Sequence, residues 1–345
     1  MYNFTQLNDF PILLAPMVGL SHAALRKTLD KYYPLNSKVL TPTEMLNSRR
    51  IPGQVLGQTP QTVLNDFERS LQPQILGNEE KYIRLSVQKL HQWGAKAIDI
   101  NMGCPVAKAL KHNYGVALMG DIQYASEVVK YTTKDSPIPV SVKLRAGTQN
   151  DQDYLLKFCD ALLNSGASWL CLHPRLAADK RKGQADWSQI KKLKDTFQVP
   201  IIGNGDIQCY QDIIDMKSET NCDAVMIGRA LTAKPWLITK YAYENGFPLT
   251  PDQYKLIPQN PQDEFHIYCD YLIDFIKNCF LLFEANDALK RIRFFVRVGH
   301  VWLNFGHSFV KAVHKYSSKQ EMIDFILSKR ENTSIILSKR TSLRY

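Results

Sequence analysis

Short runs of apolar and β-branched residues recur along the first two thirds of the chain, separated by longer segments of mixed polarity. Each run has the length of a buried β-strand. Most of the intervening segments have the length and period of amphipathic helices, as in Glu80–Trp93 and Asp153–Asn164. The eight predicted strands are Pro11–Ala15, Lys38–Thr41, Gln74–Leu76, Ala97–Asn101, Val140–Leu144, Trp169–Leu172, Val199–Gly203 and Ala224–Gly228.

Strand and helix alternating eight times predicts an α/β fold of the (β/α)₈ TIM-barrel type, whose usual size is about 250 residues. A doubly wound parallel sheet is the competing architecture. That fold ordinarily carries a Gly-x-Gly-x-x-Gly fingerprint after a strand, and neither this motif nor a Walker A loop follows any run here. The pattern therefore favours the barrel.

Strand-like runs stop after Trp236, and four prolines mark the junction that follows. We place a domain boundary near residue 250. The later segments have helical period and are rich in aromatic and basic residues, which predicts a smaller, all-helical C-terminal domain. The prolines are Pro248, Pro251, Pro258 and Pro261, and the predicted helices are Phe265–Asn278, Ala285–Phe305 and Lys319–Leu327.

These boundaries divide the chain into a catalytic barrel over residues 1–250, a helical domain over 251–330 and a basic tail over 331–345. The tail repeats at 336–340 the Ile-Leu-Ser-Lys-Arg sequence of 326–330. We expect it to be a frayed terminus rather than a dedicated binding arm.

Composition narrows the class of protein. The 345 residues carry 43 Lys and Arg against 33 Asp and Glu, a net charge of +10, which favours a polyanionic partner without identifying it. Seven cysteines without a Cys-x-x-Cys pair predict reduced thiols and no metal site. The N-terminus lacks a signal-peptide pattern, and no apolar stretch is long enough for a membrane span. We expect a cytoplasmic monomer.

The active site of a barrel lies at the carboxyl ends of its strands, so the residues that follow each predicted strand are the candidates. Pro16 and Met17 follow the first, in a tight loop where methionine offers an apolar surface to a flat ring. Gln74 lies in the third strand, and its amide can both donate and accept. Asn101 ends the fourth strand, and Cys104 follows in a small-residue turn.

The remaining strands supply cations and glycines. Lys143 is a polar residue inside the fifth strand, and His173 and Arg175 end the sixth. The loops after strands seven and eight are where such barrels hold a phosphate with backbone N–H groups. Each residue alone has an ordinary structural explanation, but together they predict a phosphate-bearing aromatic cofactor. The candidates in the last two loops are Asn204, Gly205, Asp206, Gly228 and Arg229.

Motifs at these strand ends resemble those of the tRNA-dihydrouridine synthases, FMN-dependent enzymes that reduce specific uridines in tRNA. Asn101-x-Gly-Cys-Pro105 on the fourth strand is the most specific of them. The others, in chain order, are Ala15-Pro-Met-x-Gly19, Thr43-Glu-Met45, Val140-Ser-Val-Lys143, Gly183-x-Ala-Asp-Trp187, Gly203-Asn-Gly-Asp-Ile207 and Asp223-Ala-Val-Met-Ile-Gly-Arg229.

The resemblance implies that NADPH or NADH reduces FMN, that hydride passes from the flavin N5 to C6 of the uracil, and that Cys104 protonates C5. A thiol that is mostly protonated at neutral pH suits that role. It also implies that Asn101 and Arg175 contact substrate. The residues it assigns to FMN are Pro16, Met17, Gln74, Lys143, His173, Asn204, Gly205, Asp206, Gly228 and Arg229.

In the helical domain, Lys290, Arg293 and Arg297 share one helix face, which is consistent either with tracking tRNA phosphates or with a solvated face. Two positions depart from the family pattern. Asn113 replaces a glycine, and asparagine tolerates the left-handed conformation. Pro174 follows His173 and removes a backbone donor. A flavin enzyme acting on a free pyrimidine and a non-catalytic tRNA-binding protein stay as alternatives.

Overall fold

The computed structural model describes residues 3–180, 182–331 and 334–342, and its central feature is an eight-stranded sheet. Every strand is short and most strand residues are buried, as expected where helices cover the outside of a parallel sheet. The strands are Ile12–Leu14 (β1), Leu40–Asn47 (β2), Ser70–Leu76 (β3), Ile98–Met102 (β4), Val140–Gly147 (β5), Trp169–Leu176 (β6), Ile201–Asn204 (β7) and Ala224–Ile227 (β8).

The sheet curls into a nearly closed parallel barrel. Its order is β1-β8-β7-β6-β5-β4-β3-β2, every neighbouring pair is parallel, and β1 packs beside β2. The predicted (β/α)₈ barrel is confirmed, and the doubly wound sheet is excluded. Because all strands run the same way, their carboxyl ends meet at one mouth.

Helices cover the barrel and continue beyond it. In the part of the chain that the structure describes, none is long and apolar enough to cross a membrane. The helices are Phe4–Leu7 (α1), Ala23–Asp30 (α2), Glu80–Gln92 (α3), Ala107–Lys111 (α4), Ile122–Thr133 (α5), Gln152–Asn164 (α6), Ser188–Thr196 (α7), Tyr210–Thr220 (α8), Trp236–Glu244 (α9), Pro251–Tyr254 (α10), Pro261–Leu282 (α11), Ala285–Gly299 (α12), Gly306–Lys315 (α13) and Lys319–Arg330 (α14). Short 3₁₀ helices lie at Ile51–Gly53, Gly115–Gly120, Arg229–Thr232 and His300–Trp302.

Strands β2, β3, β5 and β6 are longer than their apolar runs indicated, and the extensions of β2 and β6 bear on the site. The Thr43-Glu-Met45 motif lies inside β2 rather than after it. Strand β6 continues through Pro174, because two residues of β6 stand opposite one residue of β5 between the pairs Arg145–His173 and Gly147–Leu176. At such a bulge the ladder does not require the missing proline N–H.

The helix predicted at Ala285–Phe305 is interrupted in the structure. Helix α12 ends at Gly299, and after a 3₁₀ turn Phe305 adopts a left-handed φ of 59° before α13 begins. A Cβ on Gly306 would lie 2.1 Å from the carbonyl oxygen of His300, so the turn needs glycine there. The prediction of one continuous helix was wrong because apolar period alone does not show a tight turn.

The C-terminal helices share one apolar core with the barrel. Phe275 of α11 stacks on Phe295 of α12, with ring centroids 3.9 Å apart. Polar contacts reach back to the barrel: the hydroxyl of Tyr271 donates to Leu231 O at 2.8 Å, and the Asn278 amide donates to Thr28 Oγ1 at 2.9 Å. The helical layer is thus fixed against α2 and the segment after β8.

Residues 334–342, which we call the C-terminal strap, cross back to the barrel. Lys234 Nζ donates to the carbonyls of Ser338 at 2.7 Å and Lys339 at 2.8 Å, and to Gln208 O at 3.1 Å. Arg340 pairs with Asp212 of α8. The expectation of a frayed tail is wrong for these residues, because the Lys234 ammonium and Asp212 hold the strap against the loops that follow β7 and β8.

Lys234→Met should release the strap and lower the free energy of unfolding by about 2 kcal/mol. Burial lowers the pKa of Lys234 to about 8, but at pH 7 its ammonium still bonds three carbonyls that methionine would leave without a donor. Urea unfolding and the rate of tryptic cleavage after Arg340 measure the two effects. Lys192→Met, at an exposed helix position, is the matched control. Equal cleavage rates in both variants would contradict this role for Lys234.

Candidate active site

The turn that carries Cys104 is anchored to the end of β4. Asn101 Oδ1 accepts hydrogen bonds from the backbone N–H of Gly103 at 3.2 Å and of Cys104 at 2.9 Å. From the other side Gly115 approaches so closely that a Cβ there would lie 2.6 Å from Cys104 O. Asn113 adopts the left-handed φ of 55° that its position requires. The thiol therefore stands at the barrel mouth on a loop fixed from both sides.

Cys104 differs from the other six cysteines in its surroundings. Five of them are buried, and burial raises the pKa of two of these thiols, Cys171 and Cys269, to about 12, so the buried cysteines are packing residues. Cys209 is half-buried and precedes α8 as its N-cap. Cys104 is half-buried like Cys209, but it lies in the turn that follows β4, at the mouth.

A buried network of amides and one carboxylate lies beneath the Cys104 loop. Asn101 Nδ2 donates to Gln74 Oε1 at 2.8 Å, and Gln74 Nε2 donates to Asp99 Oδ2 at 2.7 Å. Ser141 donates to the other oxygen of Asp99 and accepts from Gln72 Nε2 at 2.8 Å. Burial raises the pKa of Asp99 to about 6, although the hydrogen bonds from Ser141 and Gln74 lower it. At neutral pH Asp99 is therefore mostly an acceptor with both oxygens engaged.

Beside this network the mouth carries positive charge. Lys143 Nζ donates to Asn204 Oδ1 at 3.0 Å, and Asn204 Nδ2 donates to Met226 O at 2.7 Å, which joins β5, β7 and β8. Burial and four nearby cations lower the pKa of His173 well below its usual value, so its imidazole is neutral at pH 7. The four cations are Lys143, Arg145, Arg175 and Arg229.

Arg175 and Asp206 bind each other. Arg175 Nη2 lies 2.7 and 2.8 Å from the two carboxylate oxygens of Asp206, and the arginine also donates to the carbonyls of Lys182 and Gly183. Ala185 N donates to the same carboxylate at 2.6 Å. Two residues that the sequence assigned to substrate and cofactor thus form one ion pair that closes the loops after β6 and β7. Among the described residues no acceptor binds the backbone N–H of Asp206.

Two glycines bring the backbone close to the mouth. Gly205 has a φ of +119°, and a Cβ there would lie 2.9 Å from both the His173 ring and Ala185. Gly228 lies against Met17, whose sulfur would be 3.5 Å from an added Cβ. In the part of the chain that the structure describes, no acceptor bonds to the backbone N–H of Gly205 or Gly228. These two amides are available to an anion.

Helix α12 contacts the mouth through residues that the sequence analysis did not single out. Buried Glu44 of β2 accepts from the Gly19 N–H and from Arg291 Nη1, the latter at 3.2 Å. The Phe294 ring lies directly on Gly19, where an added Cβ would be 2.8 Å from it. The Pro16–Gly19 loop is therefore held by the helical layer as well as by the barrel.

A signal for Arg291 was present in the sequence. It shares the buried helix face of Ala288, Ile292 and Phe295, so a charge there requires a buried partner. The three basic residues that share one helix face, for which phosphate tracking and a solvated face both stay open, have different partners in the structure. Arg293 donates to the carbonyls of His314 and Tyr316, Arg297 contacts His314 Nε2, and exposed Lys290 lies 3.8 Å from Asp287.

Residues 13–256, which include every strand after the start of β1 and the whole mouth, match the family model for dihydrouridine synthase (Dus). The chain belongs to the dihydrouridine synthase family. This confirms the resemblance drawn from the motifs, and the match ends before α11, so the role of the C-terminal helices depends on their own contacts.

Curated relatives agree with the family match. A probable tRNA-dihydrouridine synthase of Rickettsia prowazekii is 30% identical over 233 residues, which are 67% of this chain and 70% of the relative. One from Aquifex aeolicus is 32% identical over 236 residues, covering 67% and 72%. The tRNA-dihydrouridine(16) synthase of Neisseria meningitidis is 31% identical over 247 residues, covering 69% and 73%.

Arg291→Met should lower the free energy of unfolding by about 3 kcal/mol, because it leaves the buried Glu44 carboxylate without its cation. Glu44→Gln/Arg291→Met should lose less than Arg291→Met alone, since the neutral amide needs no counter-ion. Urea unfolding of the four proteins in this double-mutant cycle measures the difference. Additive losses would show that the two side chains are not coupled.

Proposed function

We propose that this protein reduces uridine in tRNA to 5,6-dihydrouridine, with FMN as cofactor and NADPH or NADH as electron donor. The observation that carries the proposal is the half-buried Cys104, fixed at the mouth of a barrel of this family beside a rim rich in cations and hydrogen-bond donors. The family match and the names of the relatives support the reaction class.

The residues around the mouth suit FMN chemically. Lys143 has one described partner and two N–H donors left for the electron-rich pyrimidine side of the ring. His173 accepts from Arg175 through Nε2 and is neutral, so its Nδ1–H is a donor. Gln74 retains one amide hydrogen beyond its bond to Asp99. These three side chains would hold the ring and ribityl region.

The loops after β7 and β8 would hold the phosphate. The N–H groups of Gly205 and Gly228, which have no acceptor among the described residues, form a donor set that suits a dianion, and the positive charge of Arg229 nearby favours it. Met17, which packs against Gly228, and the neighbouring Pro16 would give the ring an apolar surface. The surplus of positive charge around His173 also favours an anionic ligand.

Bound FMN would supply the hydride for C6 of the uracil. Cys104 would then donate its thiol proton to C5, for which it needs to be protonated and within reach of the base. No His, Lys or Arg side chain among the described residues bonds to the Cys104 thiol, and this favours a proton donor over an activated thiolate nucleophile. Asn101 would fix the position of that thiol, because its side chain accepts a hydrogen bond from the Cys104 backbone N–H.

A uridine must leave the base stack of the tRNA to reach Cys104 at the barrel mouth. The free energy lost in unstacking is offset by protein contacts to phosphates elsewhere on the tRNA. We propose that α12 supplies part of this contact through the exposed Lys290 and Arg297, while Arg293 fixes α13 by binding its C-terminal carbonyls. Arg175 would act on substrate through the loop that it closes with Asp206.

Cys104→Ala should retain flavin and tRNA binding and lose at least about 100-fold in dihydrouridine formation, the usual contribution of a positioned general acid. Flavin absorbance of the purified protein, tRNA binding by filter retention and a dihydrouridine assay measure the three quantities. Cys209→Ala removes another half-buried thiol and should leave all three unchanged. Full turnover by Cys104→Ala on unmodified tRNA would refute the role of general acid.

The reaction itself is tested anaerobically with the wild-type protein. NADPH is added until the visible flavin absorbance is bleached, unmodified tRNA follows, and both reoxidation and dihydrouridine are measured. Reoxidation with dihydrouridine formed is the expected outcome. Reoxidation by free uracil or orotate but not by tRNA would favour a free-pyrimidine enzyme, and tRNA binding without flavin would favour a binding protein.

A further inference from the structure

The amides beneath Cys104 are arranged in a directional chain. Ionised Asp99 has no hydrogen to give, so Gln74 must turn its Nε2 toward it and its Oε1 away. Gln74 Oε1 then accepts from Asn101 Nδ2, which turns Asn101 Oδ1 toward the N–H groups of Gly103 and Cys104. The orientation of each side-chain amide is thus set by the preceding hydrogen-bond partner, and the series begins at Asp99.

We propose that Asp99 is a positioning residue for Cys104: its carboxylate fixes the orientation of Gln74 and Asn101 and thereby anchors the turn that carries the thiol. The side-chain hydrogen bonds of Asp99 are with Gln74 and Ser141, so among the described residues it acts on Cys104 only through Gln74 and Asn101. The inference deepens the proposed function, because it explains how the proton donor is held, and it rests on that function for its importance in catalysis.

The burial of Asp99 supports this role. Asp99 is 7% exposed and forms no direct ion pair with a cation among the described residues, so its carboxylate is costly to keep ionised. An isosteric asparagine would avoid that cost. An asparagine that kept its bond from Ser141 would, however, present an N–H donor to Gln74 Nε2. Gln74 and then Asn101 would have to turn over, and Asn101 would present N–H donors to the N–H groups of Gly103 and Cys104. The acceptor-only chemistry of the carboxylate excludes this reversed arrangement.

The test compares Asp99→Asn with Asp99→Asn/Gln74→Glu. In the double variant the carboxylate lies at position 74 instead of position 99, one step along the series of hydrogen-bonded side chains. There it accepts from the introduced asparagine amide on one side and from Asn101 on the other, which restores the original orientation of Asn101. Ser141→Ala is the matched control, because it removes a hydrogen bond to the same carboxylate without reversing any amide.

The readout is the rate at which iodoacetamide alkylates Cys104 in the purified protein, followed by mass spectrometry. Cys209, the other half-buried thiol, is the reference in the same sample. We expect about tenfold faster alkylation of Cys104 in Asp99→Asn, since two backbone hydrogen bonds to the loop are lost. Asp99→Asn/Gln74→Glu and Ser141→Ala should stay within about twofold of wild type, and Cys209 should not change.

An unchanged rate in Asp99→Asn, or a faster rate that the double variant does not restore, overturns the proposal. If Asp99→Asn does not fold, a folded double variant with the wild-type rate supports it, and failure of both variants to fold overturns it. Alkylation does not depend on turnover. If the wild-type protein reduces no tRNA, the proposed function is refuted, but the alkylation rates still test whether Asp99 positions Cys104.

Discussion

The side-chain amide of Asn101 donates and accepts hydrogen bonds at the same time, and the geometry of the mouth depends on these bonds. Its oxygen holds the backbone of the Cys104 turn, and its nitrogen is bound to Gln74 in the barrel interior. Because the amide is planar, the position of the turn is tied to the position of β3 and not only to its own strand. A loop, usually the most mobile part of a barrel, thus acquires the rigidity of the sheet.

The rest of the mouth is held mainly by bonds between neighbouring strands and loops. Lys143 and Asn204 join β5 to β7, Arg175 and Asp206 join the loops after β6 and β7, and Arg145 donates to the carbonyls of Gly103, Leu176 and Lys180. Lys143 and Arg175, which the sequence analysis assigned to ligands, therefore also stabilise the fold around the mouth. A ligand arriving at this mouth meets donors whose directions are already set, which reduces the entropy lost on binding.

The sequence predicted those parts of the structure that depend on local pattern and on the direction of the strands. Strand-length apolar runs revealed the barrel, and parallel strands bring their carboxyl ends to one edge, so Gln74, Asn101, Cys104, Lys143 and His173 were expected at one mouth. Pairings between distant segments were not predictable. Arg291 meets Glu44 across 247 positions, and whether Arg293 points to solvent or to carbonyls depends on where α13 lies. The periodicity of apolar residues along the sequence does not show which distant segments come into contact.

The C-terminal strap also bears on the synthesis of the protein. Thr341 binds Gln208, which precedes it by 133 positions. At a ribosomal rate of about 5–20 residues per second, these 133 positions take about 7–27 s to translate. For that time the nascent chain displays the loops after β7 and β8 without the segment that covers them. The contacts of the strap can therefore form only after the intervening helical layer has been synthesised, and they form beside the loops that we propose bind phosphate.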